Sequence, residues 1–202
     1  MKVLFFGDTH GSEQYHDRIT EKAREADIVV CVGDFTVFEN DLSRILSHFN
    51  NINKPVLLIH GNHESASSVT MEASNHPNLH FIHKTYYIIG DVVFFGFGGG
   101  GFNTYERNFD VASKNFLDEL AALKQKSGIA YKLVLVTHAP PYNTTLDDLG
   151  DHVGVRNFRT FIEQVQPVLA VAGHIHEAFD EEDHIKHTQL INPGPQGKII
   201  EF

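Results

Sequence analysis

The chain alternates short, wholly apolar runs with longer segments of helical spacing, and this alternation restricts the folds open to it. The apolar runs are rich in β-branched side chains, as expected of strands that are buried on both faces. They cover residues 3–6, 28–32, 56–59, 92–95, 133–136 and 168–172. Strands of this kind occur in sheets that are covered by helices, so the pattern predicts an α/β fold.

Three amphipathic segments between the runs have apolar residues at helical spacing. The first follows Ser12, which is placed to act as its N-cap, the second follows Ser113, and the third begins at Val155. The last part of the chain, residues 185–202, has the pattern of short strands that close a sheet. No repeat or linker divides the sequence, and its 202 residues fit one domain spanning 1–202.

The composition restricts the cellular location and the binding partners that we expect for this protein. No run approaches the ~20 apolar residues that a membrane helix needs, and the N-terminus does not have the pattern of a signal peptide. Cys31, the single cysteine, lies inside an apolar run and is expected to be a core thiol. We therefore expect a cytoplasmic protein with no membrane partner. The formal net charge of −10 argues against nucleic acid as a partner, because binding to phosphate backbones requires clustered Lys and Arg. A homo-oligomer is left open.

Five of the apolar runs stop at a residue that can bind metal, and a glycine precedes the cluster at four of them. Because the carboxyl ends of strands in α/β sheets lie at one edge, these clusters are expected to converge there. The glycines allow sharp turns without a side chain that would fill the site. In chain order the clusters are Gly7-Asp8-Thr9-His10, Gly33-Asp34, Gly61-Asn62-His63-Glu64, Thr137-His138 and Gly173-His174-Ile175-His176.

Seven side chains in these clusters offer oxygen or nitrogen donors, and none of them is a thiolate. Seven donors are too many for one tetrahedral ion but fit two ions that share a bridging carboxylate. The mixture of imidazole and carboxylate favours manganese, iron, cobalt, nickel or zinc over magnesium, and manganese is our first choice. The donors are Asp8, His10, Asp34, Asn62, His138, His174 and His176.

In order and spacing, these clusters resemble the motif series of the calcineurin-like metallophosphoesterases. The segments "THAPPYNTTLD" (137–147), "GHIHE" (173–177) and "INPGP" (191–195) are most similar to the branch of small phosphoesterases related to bacterial cyclic-nucleotide phosphodiesterase. The resemblance covers nearly the whole chain. It implies a four-layer α/β/β/α sandwich, in which two mixed sheets are flanked by helices.

The resemblance also implies an activity and a role for each residue. It predicts hydrolysis of a small phosphodiester by hydroxide that two divalent metals generate. His63 is implied to protonate the leaving group or to hold the phosphate oxygens, while Glu64 orients its ring. One metal is implied at Asp8, His10, Asp34 and His176, and the other at Asp34, Asn62, His138 and His174.

Other readings of the same sequence remain open. They are a phosphomonoesterase, a nuclease of the same superfamily, and a metal-binding scaffold without activity. The sequence departs from the family pattern at Val37, where many members carry Asp or Arg, so substrate positioning beside it differs from theirs. The stretch "GFGGGGF" (96–102) fits either a plain turn or a loop at the edge of the site, with Asn103 as a polar contact.

The remaining histidines are expected to lie outside the site. His60 fits a hydrogen-bonded core histidine. The others are predicted to lie on the surface or in loops: His16, His48, His76, His80, His83, His152, His184 and His187.

Overall fold

The computed structural model describes residues 1–202, and its eleven strands form two sheets. In chain order the strands are β1 (Lys2–Phe6), β2 (Ile28–Cys31), β3 (Val56–Leu58), β4 (Leu79–Phe81), β5 (Thr85–Ile89), β6 (Val92–Phe97), β7 (Lys132–Thr137), β8 (Leu169–Val171), β9 (Glu182–Ile185), β10 (Thr188–Ile191) and β11 (Lys198–Glu201). The helices are α1 (Glu13–Lys22), α2 (Leu42–Asn50), α3 (Ala66–Ala73), α4 (Phe109–Ser127) and α5 (Arg156–Val165).

Both sheets are mixed, with parallel strands in the middle. The first has the order β11-β1-β2-β3-β4, and only β11 runs antiparallel to its neighbour. The second has the order β5-β6-β7-β8-β10-β9, with antiparallel pairs at its two edges. The carboxyl ends of β1, β2 and β3 therefore share one edge of the first sheet, and those of β7 and β8 share one edge of the second.

The two sheets pack face to face through a layer of buried apolar side chains. Because side chains alternate along a strand, β1 sends Val3 and Phe5 into this layer and Leu4 and Phe6 to the opposite face. The second sheet contributes residues such as Phe94, whose ring centroid lies 6.5 Å from that of Phe5. This double burial explains why β2, β3 and β8 are apolar at every position.

Helices cover the outer face of each sheet. The outer face of the first sheet packs against α1, α2 and α3, and that of the second packs against α4 and α5. Phe95, for example, stacks on Phe116 of α4 with ring centroids 4.4 Å apart. The predicted four-layer α/β/β/α architecture is confirmed.

The structure differs from the sequence predictions at several elements. Strands β4, β5 and β9 were not predicted, because each is short or carries polar residues. Helix α4 begins at Phe109, so Ser113 lies within it and is buried. His16 is also buried, contrary to the prediction, since its ring packs edge-on against Phe49 and bonds to Thr9.

None of the helices has the length and apolar character needed to cross a membrane.

Candidate functional site

The polar residues that follow the five strands converge at one place between the two sheets. Their ligand atoms form three overlapping groups, within each of which the atoms lie less than 4.8 Å apart. Asn62 joins them, because its Oδ1 lies 3.1 Å from His138 Nε2. All seven predicted donors are thus brought together, with His63 beside them. The groups are Asp8–His10–His176, His10–Asp34–His63 and Asp34–His138–His174.

The site joins the two sheets through hydrogen bonds. His138, which follows β7, donates from Nδ1 to the Val32 carbonyl at 2.8 Å. The backbone N–H of His174, which follows β8, donates to both carboxylate oxygens of Asp8 at 3.1 Å. Each bond connects a residue after a strand of the second sheet to one at the end of the first.

Four imidazole nitrogens have surroundings that suit a cation. His138 Nε2 faces two oxygens, Asn62 Oδ1 at 3.1 Å and Asp34 Oδ2 at 3.4 Å. His10 Nε2 lies 3.1 Å from His176 Nε2, and the buried Nε2 of His174 has no hydrogen-bond partner. Lone pairs that face one another repel unless a proton or a metal ion lies between them. This arrangement, with nitrogen and oxygen donors only, fits divalent metal ions.

Burial and mutual contact shift the pKa values of several groups in the cluster, and they favour the ionised forms of Asp34 and His138. Burial tends to raise the pKa of Asp34, but the hydrogen bond and charge of His138, together with the N–H of His63, lower it to about 2. Burial tends to lower the pKa of His138, but Asp34 outweighs it and raises the value to about 9. For Asp8, burial dominates and raises the pKa to about 7. A divalent cation would take the place of the protons that these groups hold.

Four of the predicted ligands have left-handed backbone conformations, which are uncommon outside glycine. The φ angles are 53° at Asp8, 44° at His10, 51° at Asp34 and 72° at His174. Surrounding hydrogen bonds hold them, such as those from the N–H of Asp8 to the Gly33 carbonyl and from the N–H of His10 to the Asp34 carbonyl, both 3.0 Å. Strain of this kind is concentrated at functional sites and persists only where the structure around it is rigid.

Two positions near the site require glycine because a neighbouring carboxylate lies too close for a Cβ atom, and not because of the backbone φ angle. A Cβ atom at Gly61 would overlap the Asp34 carboxylate, and one at Gly173 would overlap the Asp8 carboxylate. The prediction that glycines keep the site free of side chains therefore holds at both positions.

Glu64 does not orient the His63 ring, contrary to the role predicted for it. Its buried carboxylate accepts four hydrogen bonds instead. Oε1 accepts from the backbone N–H and the hydroxyl of Thr36 at 2.8 and 2.7 Å, and Oε2 from the N–H groups of Asp34 and Gly61 at 3.1 and 2.9 Å. Burial raises the pKa of Glu64, while the bonds from Gly61 and Thr36 act to lower it. Through these hydrogen bonds, Glu64 connects the loop after β2 to the loop after β3.

The His63 ring is oriented by the backbone of Phe38 instead. The N–H of Phe38 donates to His63 Nδ1 at 3.3 Å, so the neutral ring carries its proton on Nε2. That nitrogen lies 3.9 Å from Asp34 Oδ2, and the His63 ring centroid lies 4.8 Å from that of His10. His63 therefore presents an N–H donor to the cluster.

The sequence analysis did not identify two exposed phenylalanines beside the site. The ring centroid of Phe38 lies 4.5 Å from that of His63, and that of Phe102 lies 5.1 Å from that of His174. Phe102 ends the glycine-rich stretch, which therefore borders the site. Asn103 is exposed and makes no hydrogen bond to the donor residues. The glycine run was the one signal that pointed here, while nothing in the sequence distinguished Phe38.

His60 follows β3 but is not among the grouped donors. Its Nδ1 donates to the Gly61 carbonyl at 2.9 Å, and its ring packs against the ring of His83. Burial lowers the pKa of His60, so the neutral ring is favoured, as expected of a core histidine.

A sequence model of the calcineurin-like phosphoesterases matches residues 1–178. The chain belongs to this family. It is therefore a metal-dependent phosphoester hydrolase of a class that uses two metal ions, as the motif series predicted; the match does not identify a branch within the family.

The chain is also similar to individual proteins in sequence or in fold. The chain is 27% identical to the uncharacterized protein MJ1162 of Methanocaldococcus jannaschii, over 99% of this chain and 91% of that one. Its fold is similar to that of TT1561 of Thermus thermophilus, with a TM-score of 0.73 at 17% identity, covering 96% of this chain and 89% of that one. It is also similar to a dimetal phosphatase from Danio rerio, with a TM-score of 0.65 at 12% identity, covering 95% of this chain and 86% of that one.

Glu64→Gln tests the structural role of the Glu64 carboxylate. The amide replaces one acceptor oxygen by an NH₂ group, which leaves buried N–H donors without a partner. Because hydrogen bonds to charged groups contribute about 1.5–3 kcal/mol each, we expect a loss of about 3 kcal/mol in the free energy of unfolding. Urea denaturation in the presence of a chelator measures this loss without a contribution from metal binding.

Glu13→Gln is the matched control. Its carboxylate pairs with Arg44 on the surface, where such pairs contribute at most about 1 kcal/mol. Equal stabilities of the two variants would contradict the role given to Glu64.

Proposed function

We propose that this phosphoesterase hydrolyses small phosphodiesters. The observation that carries the proposal is the set of charged groups around the donor cluster. The side chains that bond to the donors or shift their pKa values are histidines, carboxylates and the amide of Asn62, and no Lys or Arg is among them.

This environment favours a substrate with one negative charge. A phosphomonoester carries close to two negative charges at neutral pH, whereas a phosphodiester carries one. Once metal ions have replaced the protons on Asp8 and His138, a site with two carboxylates and no Lys or Arg acting on its donors compensates one negative charge more easily than two. Sites for doubly charged phosphate groups commonly use the donor fork of Arg, which this site lacks.

The donors divide between two metal positions in this proposal. Asp8, His10 and His176 would hold one ion and Asn62, His138 and His174 the other, with Asp34 shared between them. When bound, the ions supply Lewis acidity, which activates water and stabilises the charge that develops on the phosphoryl oxygens. Manganese is our first choice of metal.

His63 holds a phosphoryl oxygen in this proposal rather than donating a proton to the leaving group. A general acid would need a proton on both ring nitrogens, and a protonated Nδ1 could not accept the N–H of Phe38. The neutral ring keeps that bond and directs its Nε2–H toward the cluster, where a phosphoryl oxygen can accept it.

The acidic charge of the chain weighs against the nuclease alternative. Binding to duplex DNA depends on neutralising phosphates with Lys and Arg, and the net charge here is −10. A small diester does not require such a surface.

Two metal ions per chain are expected at saturation. Protein stripped with a chelator and titrated with Mn²⁺ should bind two equivalents by calorimetry and elemental analysis. His174→Ala should bind fewer equivalents, because it removes the buried Nε2 that has no other partner. Val111→Ala, on the exposed face of α4, serves as the control. A wild-type stoichiometry of one would contradict the assignment of seven donors to two ions.

The substrate class is tested with matched nitrophenyl esters. We expect the manganese-loaded enzyme to hydrolyse p-nitrophenyl methyl phosphate with a higher kcat/KM than p-nitrophenyl phosphate, because the diester carries the smaller charge. Cyclic nucleotides and duplex DNA complete the comparison. Faster turnover of the monoester would overturn the diesterase proposal, and cleavage of DNA that salt suppresses steeply would favour the nuclease. Binding of two metal ions without turnover of any ester would support the scaffold.

His63→Ala distinguishes the two roles considered for this residue. Removal of a donor to a developing oxyanion costs about 10²–10³ in kcat, and we expect this loss for good and poor leaving groups alike. His63→Gln keeps an N–H donor and should recover part of the activity, with metal content unchanged in both variants. A loss that grows steeply as the leaving group becomes more basic would show proton transfer instead.

A further inference from the structure

Two large apolar side chains stand exposed beside the site. Phe38 is 74% exposed and Phe102 is 68% exposed, although both residues border histidines of the donor cluster. Full burial of a phenylalanine side chain is worth about 1.5–3 kcal/mol, and neither ring obtains this within the chain.

Backbone contacts hold Phe38 in its exposed position. Its φ of 48° is left-handed, which is rare for a bulky residue. Its N–H donates to His63 Nδ1, and the N–H of the next residue, Glu39, donates to the His63 carbonyl at 3.1 Å. The strained backbone thus fixes the aromatic ring against the His63 imidazole.

The glycine-rich loop places Phe102 against His174, a different side chain of the cluster. Three glycines with φ angles of 83°, 122° and 147° precede it, at Gly99, Gly100 and Gly101. The loop is attached to the end of β3, since the N–H of Gly99 donates to the His60 carbonyl at 2.8 Å. From there Phe102 reaches the ring of His174.

The two phenylalanines border different groups of donors. Phe38 contacts His63, which is grouped with His10 and Asp34, while Phe102 contacts His174, which is grouped with Asp34 and His138. A phosphodiester bound at the cluster has an organic group on each of two ester oxygens, so one ring is available to each group.

We propose that Phe38 and Phe102 each contact one ester group of the substrate and select planar aromatic groups there. The inference rests on the proposed function, because it requires a diester. Aromatic rings prefer offset or edge-to-face contact with other rings, and each such pair contributes beyond the burial of area. An aliphatic ester group of similar size gains only the burial.

The experiment varies one ester group at a time. At the retained position, p-nitrophenyl phenyl phosphate is compared with p-nitrophenyl cyclohexyl phosphate, which have the same leaving group. At the leaving position, phenyl methyl phosphate is compared with hexafluoroisopropyl methyl phosphate, whose leaving groups have similar acidity. The wild type should favour the aryl member of each pair by about 2- to 10-fold in kcat/KM, mostly through KM.

Phe38→Leu and Phe102→Leu keep an apolar side chain and remove the ring. Each variant should abolish the aryl preference at one position and leave it at the other, while Val111→Ala changes neither ratio. A second readout does not depend on turnover. Phenylphosphonate should bind the manganese-loaded wild type more tightly than methylphosphonate by calorimetry, and at least one of the two variants should lose this difference.

The outcomes separate this inference from the proposed function. Diester hydrolysis with no aryl preference, or with a preference that neither variant alters, would overturn the role of the phenylalanines and leave the diesterase proposal standing. Hydrolysis of monoesters alone would overturn both. Loss of metal content in either variant would show that the ring acts on the ligands rather than on the substrate.

Discussion

The candidate site depends on the apolar layer between the two sheets. Four of the seven donors follow strands of the first sheet, and His138, His174 and His176 follow strands of the second. The donors can meet only while the two inner faces stay packed. Because side chains alternate along each strand, a shift of one residue in register would turn the inner face outward and separate the two halves of the site. The core that stabilises the fold therefore also sets the spacing of the site.

Rigidity of the loops is the second requirement. Left-handed backbones at four donors cost free energy, and the bonds around Glu64 connect the loop of one of them, Asp34, to the loop after β3. Close packing of Gly61 and Gly173 against the Asp34 and Asp8 carboxylates leaves those side chains little room to move. The donors are consequently held in position before any ion binds, and the raised pKa values of Asp8 and His138 favour their protonated forms in that state. Metal binding has to displace these protons.

The sequence allowed the position and the members of the donor cluster to be predicted, because each donor comes directly after an apolar run and strand ends share an edge. The roles of Glu64 and Phe38 could not be predicted in this way, since they depend on contacts with residues 25 to 30 positions away. Strand β9 was missed for a related reason. It carries charged residues, and its conformation comes from pairing with β10 rather than from its own composition. The burial of His16 likewise depends on the ring of Phe49 and the hydroxyl of Thr9, which its own segment gives no reason to expect.

The net charge of −10 is unfavourable for binding an anionic substrate, so local contacts at the site have to supply the attraction. An anionic substrate is repelled by the chain at long range, but salt screens this repulsion beyond about 8–10 Å. Attraction must therefore come from short-range contacts. At short range the site offers donors suited to metal ions, the N–H of His63 and two exposed aromatic rings, and no Lys or Arg is among the groups that shift the pKa values of the donors. A substrate with one negative charge and two apolar ester groups gains from all of these features. A substrate with two charges and one ester group gains less from the rings and requires more of the metal ions.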